Sequence, residues 1–181
     1  MNRRRADGID PVARSRARRR ALQAVYAWQL SGAEVREVVA QFAHEQAREV
    51  ADLAYFEDLV HGVHDHRADI DGALAPFLDR EIEQVDAIER AVLRIAAYEL
   101  RHRPDVPYRV VINEAIETAK RFGAEHGHTY VNGVLDRAAA EWRAVEAQAP
   151  RYLGDVDGVS GRAAPAPRPR ATPPRRGRAR R

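Results

Sequence analysis

The stretch IERAVLRIAAYEL, residues 88–100, decides the fold. Its apolar residues recur at intervals of three and four, the spacing that places side chains on one face of an α-helix. So few polar residues interrupt the run that neighbouring elements must nearly surround it. Asp86, just before the stretch, belongs to a residue type that caps helix N-termini. We therefore expect a central helix that begins after Asp86 and is buried on most of its surface.

Helical spacing continues on both sides of this stretch. Gly32 and Gly123 stand where helices should end, and Pro76 should disturb the helical segment that contains it. No alternation of the β-strand type runs for more than a few residues. The fold class is therefore predicted to be all-α, a compact helical bundle of six or seven helices. The other helical segments begin near Leu22, Val35, Leu53, Ile70, Val111 and Val131.

The chain divides by composition into a helical body and two polar ends. It has 181 residues, of which 45% are hydrophobic, enough for one domain with a core. From Pro150 onward the sequence is rich in Arg, Pro, Ala and Gly and has almost no large apolar residue, so burial cannot offset its ordering entropy. We predict a flexible N-terminal arm at 1–13, a helical domain at 14–149 and a disordered basic tail at 150–181.

The composition and the motifs exclude several classes of protein. The chain contains no cysteine, which rules out disulfides, thiolate nucleophiles and cysteine-based zinc sites. No stretch reaches the ~20 apolar residues of a membrane span, and the N-terminus has no signal peptide, so we expect a cytoplasmic protein without a membrane partner. Nucleophile motifs, glycine-rich phosphate loops and HExxH spacings are missing, even near His61, His64 and His66. Neither catalysis, nor a cofactor, nor a metal is expected.

The charges are segregated along the chain. The net charge is +3, yet residues 1–20 carry eight Arg and two Asp, and residues 151–181 carry nine Arg and two Asp. The segment between them has a net charge of −10. Basic ends on an acidic body suggest that the ends bind a polyanion and that the body meets a basic partner.

The run RSRARRR at residues 14–20 leads directly into the first amphipathic helix. Positive side chains at a helix N-terminus oppose the helix dipole and repel one another, so stability does not explain them. Arginines pair well with phosphate, and nucleic-acid binding is the favoured interpretation. An anionic membrane surface and a merely solvated face remain alternatives, and the run does not separate RNA from DNA. The five residues are Arg14, Arg16, Arg18, Arg19 and Arg20.

A second candidate surface follows the predicted helix end at Gly123. Cations, aromatic rings and an amide cluster there, a mixture that suits unpaired bases. Two structural alternatives stay open, namely that Phe122 is core and that the two cations only complement a helix C-terminus. Gly133 inside the next helix predicts the close approach of another backbone, of protein or of RNA. The surface comprises Lys120, Arg121, Phe122, His126, Tyr130 and Asn132.

Three stretches together resemble the NusB family. They are ALQAVYAWQLSG at 21–32, IERAVLRIAAYELRHRPDVPYRVVINEAIETAKRFG at 88–123 and TYVNGVLDRAAAEW at 129–142. The most specific part is INEAIETAKRFG followed by VNGVLD. The resemblance spans residues 14–143, and the Arg/Pro-rich tail lies outside the family pattern.

This resemblance implies a fold, a role and partners. The fold is two small helical subdomains packed perpendicular to each other. The role is RNA-binding transcription antitermination without catalysis: with NusE, a small-subunit ribosomal protein, family members bind single-stranded boxA RNA in ribosomal RNA operon transcripts. The complex acts on RNA polymerase, which is therefore an indirect partner. The family also assists assembly of the small ribosomal subunit.

The resemblance also assigns roles to single positions. Its arginine-rich arm matches the five arginines of residues 14–20, and its RNA-facing positions match Phe122, His126 and Tyr130. Its NusE-facing positions match Tyr26, Leu30, Glu83 and Glu89.

Three alternatives accompany the NusB interpretation. NusB-like domains also occur fused to RNA methyltransferases, but this chain has no glycine-rich strand-to-helix turn. A DNA-binding protein would need a recognition helix, and none is apparent. A homodimer that hides the RNA surface stays open.

Overall fold

The structure is a computed structural model that describes residues 10–45 and 52–148. Within these ranges every regular element is helical, which confirms the all-α prediction. The α-helices number eight there, against six or seven predicted, and the five-residue α8 is the helix that the sequence did not indicate. They are α1 (Pro11–Ser31), α2 (Val35–Glu45), α3 (Leu53–Asp65), α4 (Arg67–Leu74), α5 (Ala87–His102), α6 (Tyr108–Phe122), α7 (Gly127–Trp142) and α8 (Ala144–Gln148).

Local signals set both ends of α1. The Asp10 side chain accepts a hydrogen bond from the Val12 N–H at 2.9 Å, and Pro11 occupies the first helical turn, where its missing N–H costs nothing. Gly32 ends the helix in the left-handed conformation, with φ of 64°, and donates its N–H to the Trp28 carbonyl. The helix therefore begins before residue 14, and the predicted flexible arm is wrong for residues 11–13. Residues 1–9 lie outside the described part of the chain, as does the predicted tail at 150–181.

The central helix α5 organises the core. Asp86 caps it by accepting from the Ile88 and Glu89 N–H groups, and every residue from Ala91 to Leu100 is buried. Four helices pack against α5. Of these, α1 and α3 precede it in the chain, and α6 and α7 follow it. The prediction of a nearly surrounded central helix is confirmed.

Tight packing holds α3 against α5. A Cβ built on Gly62 would overlap the Tyr98 ring, so a larger residue there would force that ring to move. Pro76 lies in a 3₁₀ turn at Ala75–Phe77 that follows α4, as its rigid ring suggests. None of the described helices combines the length and the apolar character that a bilayer crossing needs.

Candidate nucleic-acid interface

The five arginines of the basic run do not share one environment. Residue 18 lies one turn before Leu22 and two turns before Val25, on the buried face of α1. Its guanidinium donates to both carboxylate oxygens of Glu99, at 2.8 and 3.1 Å, and to the Tyr55 hydroxyl oxygen at 3.0 Å. Only 5% of Arg18 is exposed, so the prediction that it binds phosphate is wrong.

Electrostatics keep this buried arginine charged. Burial by itself would lower the pKa of Arg18, but the hydrogen bonds and the negative charge of Glu99 raise it overall. Tyr55 also donates its hydroxyl to Glu99, and burial together with that carboxylate raises the pKa of Tyr55. Arg18, Tyr55 and Glu99 thus join α1, α3 and α5 through one internal polar cluster.

Arg14 is also drawn toward the protein. Its guanidinium lies 3.4 Å from Asp105 and 3.7 Å from Asp52, and 4.3 Å from the centre of the Tyr55 ring. Only 15% of its side chain is exposed. Arg14 therefore makes contacts within the chain that connect α1 to the beginning of α3 and to the segment between α5 and α6.

The remaining three arginines face outward. Arg16 is exposed, and Arg19 and Arg20 are half-buried on the rim of α1. Arg20 donates to the Gln23 side chain at 2.8 Å. Arg19 lines a cleft of about 330 Å³ between α1 and α6, and Lys120 and Arg121 line the same cleft. The structure thus brings the two predicted basic surfaces together.

Acidic and polar groups complete this α1–α6 cleft. Glu114, Glu117, Ser15 and Thr118 lie among its cations. The Lys120 Nζ is 2.9 Å from a Glu117 carboxylate oxygen, an exposed pair that a phosphate can displace at low cost. Because Arg121 stands at the end of α6, it also complements the helix dipole.

A second cleft lies at the turn between α6 and α7. It measures about 350 Å³, and Arg80, His126 and Tyr130 line it. His126 is exposed, whereas Tyr130 is half-buried and donates its hydroxyl to an Asp79 oxygen at 3.1 Å. The Arg80 guanidinium lies 5.5 Å from the centre of the Tyr130 ring. A planar ring beside a cation, at the rim of a cleft, can stack an unpaired base.

Asp79 organises this aromatic and cationic pair. The Arg80 guanidinium bonds both of its oxygens, and that bond, together with the Tyr130 hydroxyl, lowers the pKa of Asp79 to about 2. The sequence did not indicate Arg80 as a site residue, because no residue near it in the chain signals its contact with Tyr130, which lies 50 positions away.

The other residues of the second predicted surface have mixed environments. Phe122 packs on the core and is half-buried. This environment agrees in part with the alternative that Phe122 is a core residue. Asn132 is half-buried on α7. Gly133 is exposed, and a Cβ built there would meet no atom of the described chain within 4 Å. The described part of the chain therefore supplies no close backbone at Gly133, and the approach of a partner protein or of RNA stays a prediction.

Three of the four predicted NusE-facing residues lie on two segments that Arg94 connects. Tyr26 and Leu30 are one turn apart on α1, and Leu30 is 59% exposed. The Arg94 guanidinium connects this helix to Glu83, donating to Gln29 at 2.7 Å and to Glu83 at 3.1 Å. Partial burial would raise the pKa of Glu83, but the charges of Arg94 and Arg90 lower it overall. The helix that carries the exposed leucine is thus linked, through Gln29 and Arg94, to a carboxylate that stays charged.

Glu89 differs from the other three. It is buried, and its carboxylate lies against the turn between α6 and α7, where it lines one cleft with Ala124. Burial and the charge of Asp86 raise its pKa, whereas the backbone at Ala124 lowers it. The prediction of Glu89 as an accessible partner-facing residue does not match this environment.

Within residues 10–45 and 52–148, no three His, Asp or Glu side chains are placed to hold a metal. The clustered histidines take part in aromatic packing instead. His64 meets Trp28 edge-on at 5.3 Å, and His66 stacks on His102 at 4.3 Å.

Known proteins resemble this chain in sequence and in fold. A model of the NusB family matches residues 15–140. The transcription antitermination protein NusB of Stenotrophomonas maltophilia (strain K279a) is 78% identical over 142 residues, which cover 78% of this chain and 89% of that protein. Its namesake from Xanthomonas axonopodis pv. citri is 78% identical over 145 residues, covering 80% and 91%.

Two solved structures are also similar. NusB of T. maritima superposes with a TM-score of 0.65 at 30% identity, over 71% of this chain and 91% of that one. A NusB chain in a crystal structure of antitermination factors NusB and NusE with dsRNA superposes with a TM-score of 0.66 over 75% and 99%. At 24% identity, this second likeness concerns the fold alone.

Proposed function

This chain belongs to the NusB family, and from that premise we propose that it binds boxA RNA of ribosomal RNA operon transcripts together with NusE. Its role is that of a transcription antitermination factor and not of an enzyme. RNA polymerase is then an indirect partner, and assembly of the small ribosomal subunit a second process that the same RNA contacts can serve.

The α1–α6 cleft is the observation that carries this proposal. Arg19 from one end of the domain and Lys120 and Arg121 from the other line one cleft, and Arg16 is exposed on the same helix as Arg19. Folding thereby concentrates cations that are a hundred residues apart in an otherwise acidic body. Such a concentration favours a polyanion, since each phosphate contact releases condensed counterions.

The cleft at the α6–α7 turn supports recognition of single-stranded RNA. Phosphate contacts position a nucleic acid, whereas contacts to bases specify it. Tyr130, with Arg80 beside its ring and His126 one turn earlier, offers a stacking surface for a base.

The proposed NusE surface consists of Tyr26, Leu30 and Glu83. It combines an exposed apolar side chain with a carboxylate that stays charged, as a basic ribosomal protein requires of its partner. A solved protein of the same fold was crystallised with NusE and dsRNA, which supports NusE as a partner but does not locate its surface on this chain.

Fluorescence anisotropy with a boxA RNA and a scrambled control tests the proposal. Each RNA is titrated with and without purified NusE, at several salt concentrations. We expect tighter binding to boxA, strengthened further by NusE. Equal binding to both RNAs, unaffected by NusE, would overturn the proposal and leave only a general polyanion binder.

A double substitution tests the cleft itself. Arg16→Ala with Arg19→Ala should lower the slope of log affinity against log salt by about 1.4, because each phosphate contact to a single strand contributes about 0.7. Arg36→Ala, at an exposed position on α2, is the matched control and should leave the slope unchanged. An unchanged slope in the double variant would contradict the assignment. Light scattering on the same samples reports whether a homodimer, which stays a prediction, competes with RNA.

A further inference from the structure

Glu89 stands at the beginning of α5 but serves a different part of the chain. It is the third residue after the Asp86 cap, the position from which a glutamate usually reaches back to its own cap. Here its carboxylate instead faces the turn that precedes α7, where it lies beside Gly127 and lines one cleft with Ala124. Only 8% of Glu89 is exposed, so this contact is internal to the domain.

Gly127 forms the other half of the contact. A Cβ built on Gly127 would overlap a Glu89 carboxylate oxygen and lie 2.7 Å from the carboxylate carbon. The carboxylate thus lies directly against the backbone of the first residue of α7. A larger residue at this position would therefore have to displace the Glu89 carboxylate, although the φ of Gly127 is not in the left-handed region.

The carboxylate also complements the N-terminus of α7. His126 precedes this helix and makes no side-chain capping hydrogen bond to it. A negative charge near the first turn is favourable, because the helix dipole is positive there. Glu89 therefore provides, from a separate helix, the anionic group that the local sequence of α7 lacks.

The residues held in place by this contact are those that face the second cleft. His126 and Tyr130 are one turn apart at the start of α7, and both line the cleft together with Glu89. Their positions follow from the course of residues 124–127, which Glu89 ties to the central helix. Interactions that order a binding loop before association increase affinity without touching the ligand.

We propose that Glu89 is a positioning residue for the RNA-facing turn, and that it acts on RNA affinity rather than by contacting NusE. The inference rests on the proposed function, since it assumes that the turn binds RNA. Loss of this buried carboxylate and of the order it imposes on the turn should weaken RNA binding about tenfold. Affinity for NusE in the absence of RNA should remain unchanged.

A mutant cycle tests the contact from both sides. Glu89→Ala and Gly127→Ala should each weaken boxA binding about tenfold, the first by removing the carboxylate and the second by displacing it. The double variant should bind no more weakly than Glu89→Ala alone, because the added methyl group then has no carboxylate to displace. Glu89→Gln should restore most of the affinity, since its side chain has nearly the same shape and its amide oxygen can still accept from a backbone N–H of the turn.

Independent effects of the two substitutions on RNA affinity would overturn the proposal. So would a Glu89→Ala variant that binds RNA normally but loses NusE, which would make Glu89 a direct partner contact. Urea unfolding of each variant confirms that it is folded under the assay conditions. Gly127→Ala keeps the test decisive if Glu89→Ala does not fold. Absence of boxA binding by the wild-type protein would instead refute the proposed function, a result distinct from either of these.

Discussion

Replacing Arg18 by alanine gives the sharpest test of how this fold uses its arginines. Arg18 is 5% exposed and Glu99 is 1% exposed, and three hydrogen bonds connect the guanidinium to that carboxylate. The substitution leaves the Glu99 charge buried among α1, α3 and α5 without its cation. The Tyr55 hydroxyl still donates to Glu99, but the ion-pair partner that offsets the desolvation of the carboxylate is lost, and the native state loses stability.

The expected magnitude follows from the burial of both partners. Removing one member of a buried ion pair costs about 3–5 kcal/mol. For a domain of this size, each kcal/mol shifts Tm by about 2–4 °C, so a loss of about 4 kcal/mol predicts a decrease of about 8–16 °C. Replacing both residues by methionine should recover most of the loss, since no unpaired charge remains.

Urea unfolding followed by circular dichroism measures this effect. Arg16→Ala is the matched control, because Arg16 lies two residues earlier on the same helix and is exposed. It should change the free energy of unfolding by less than about 0.5 kcal/mol while weakening RNA binding. An Arg18→Ala variant with wild-type stability and a reduced salt slope would refute the reasoning, since that result is typical of a phosphate ligand.

Two further predictions concern packing and pH. Gly62→Ala should destabilise the protein by about 1–3 kcal/mol, because the new methyl group would overlap the Tyr98 ring. Gly72→Ala should stabilise it by about 0.5–1 kcal/mol, because this position in α4 has open space for the methyl group and alanine favours the helix. Thermal unfolding compares the two, and equal Tm shifts would contradict the assigned contact. The Arg103 guanidinium is the main cause that lowers the pKa of Asp105 to about 2, so Asp105 contributes stability above its ordinary pKa near 4. That contribution should disappear as the pH falls from about 4 toward 2. Urea unfolding at several pH values measures this, and Asp105→Asn should flatten this part of the stability profile. An Asp105→Asn variant with the wild-type pH dependence would contradict the prediction.

Local signals predicted most of the secondary structure and part of the site. Asp86 and Gly32 mark helix ends that the structure confirms, because caps depend on residues close in the chain. The burial of Arg18 was also accessible in principle, since residue 18 has the same helical phase as Leu22 and Val25. The burial of Arg18 was not predicted, because five arginines in seven residues resemble one continuous basic surface.

Contacts between distant segments were not predictable in this way. The contact of Glu89 with Gly127 spans 38 residues, and the cleft shared by Arg19 and Lys120 spans about a hundred. The sequence by itself determined the helices, most of their ends and the family. Only the tertiary structure decided which charges are internal and which face solvent, because helical periodicity orients a side chain relative to its own axis, while the packing of one helix on another determines what that side chain meets.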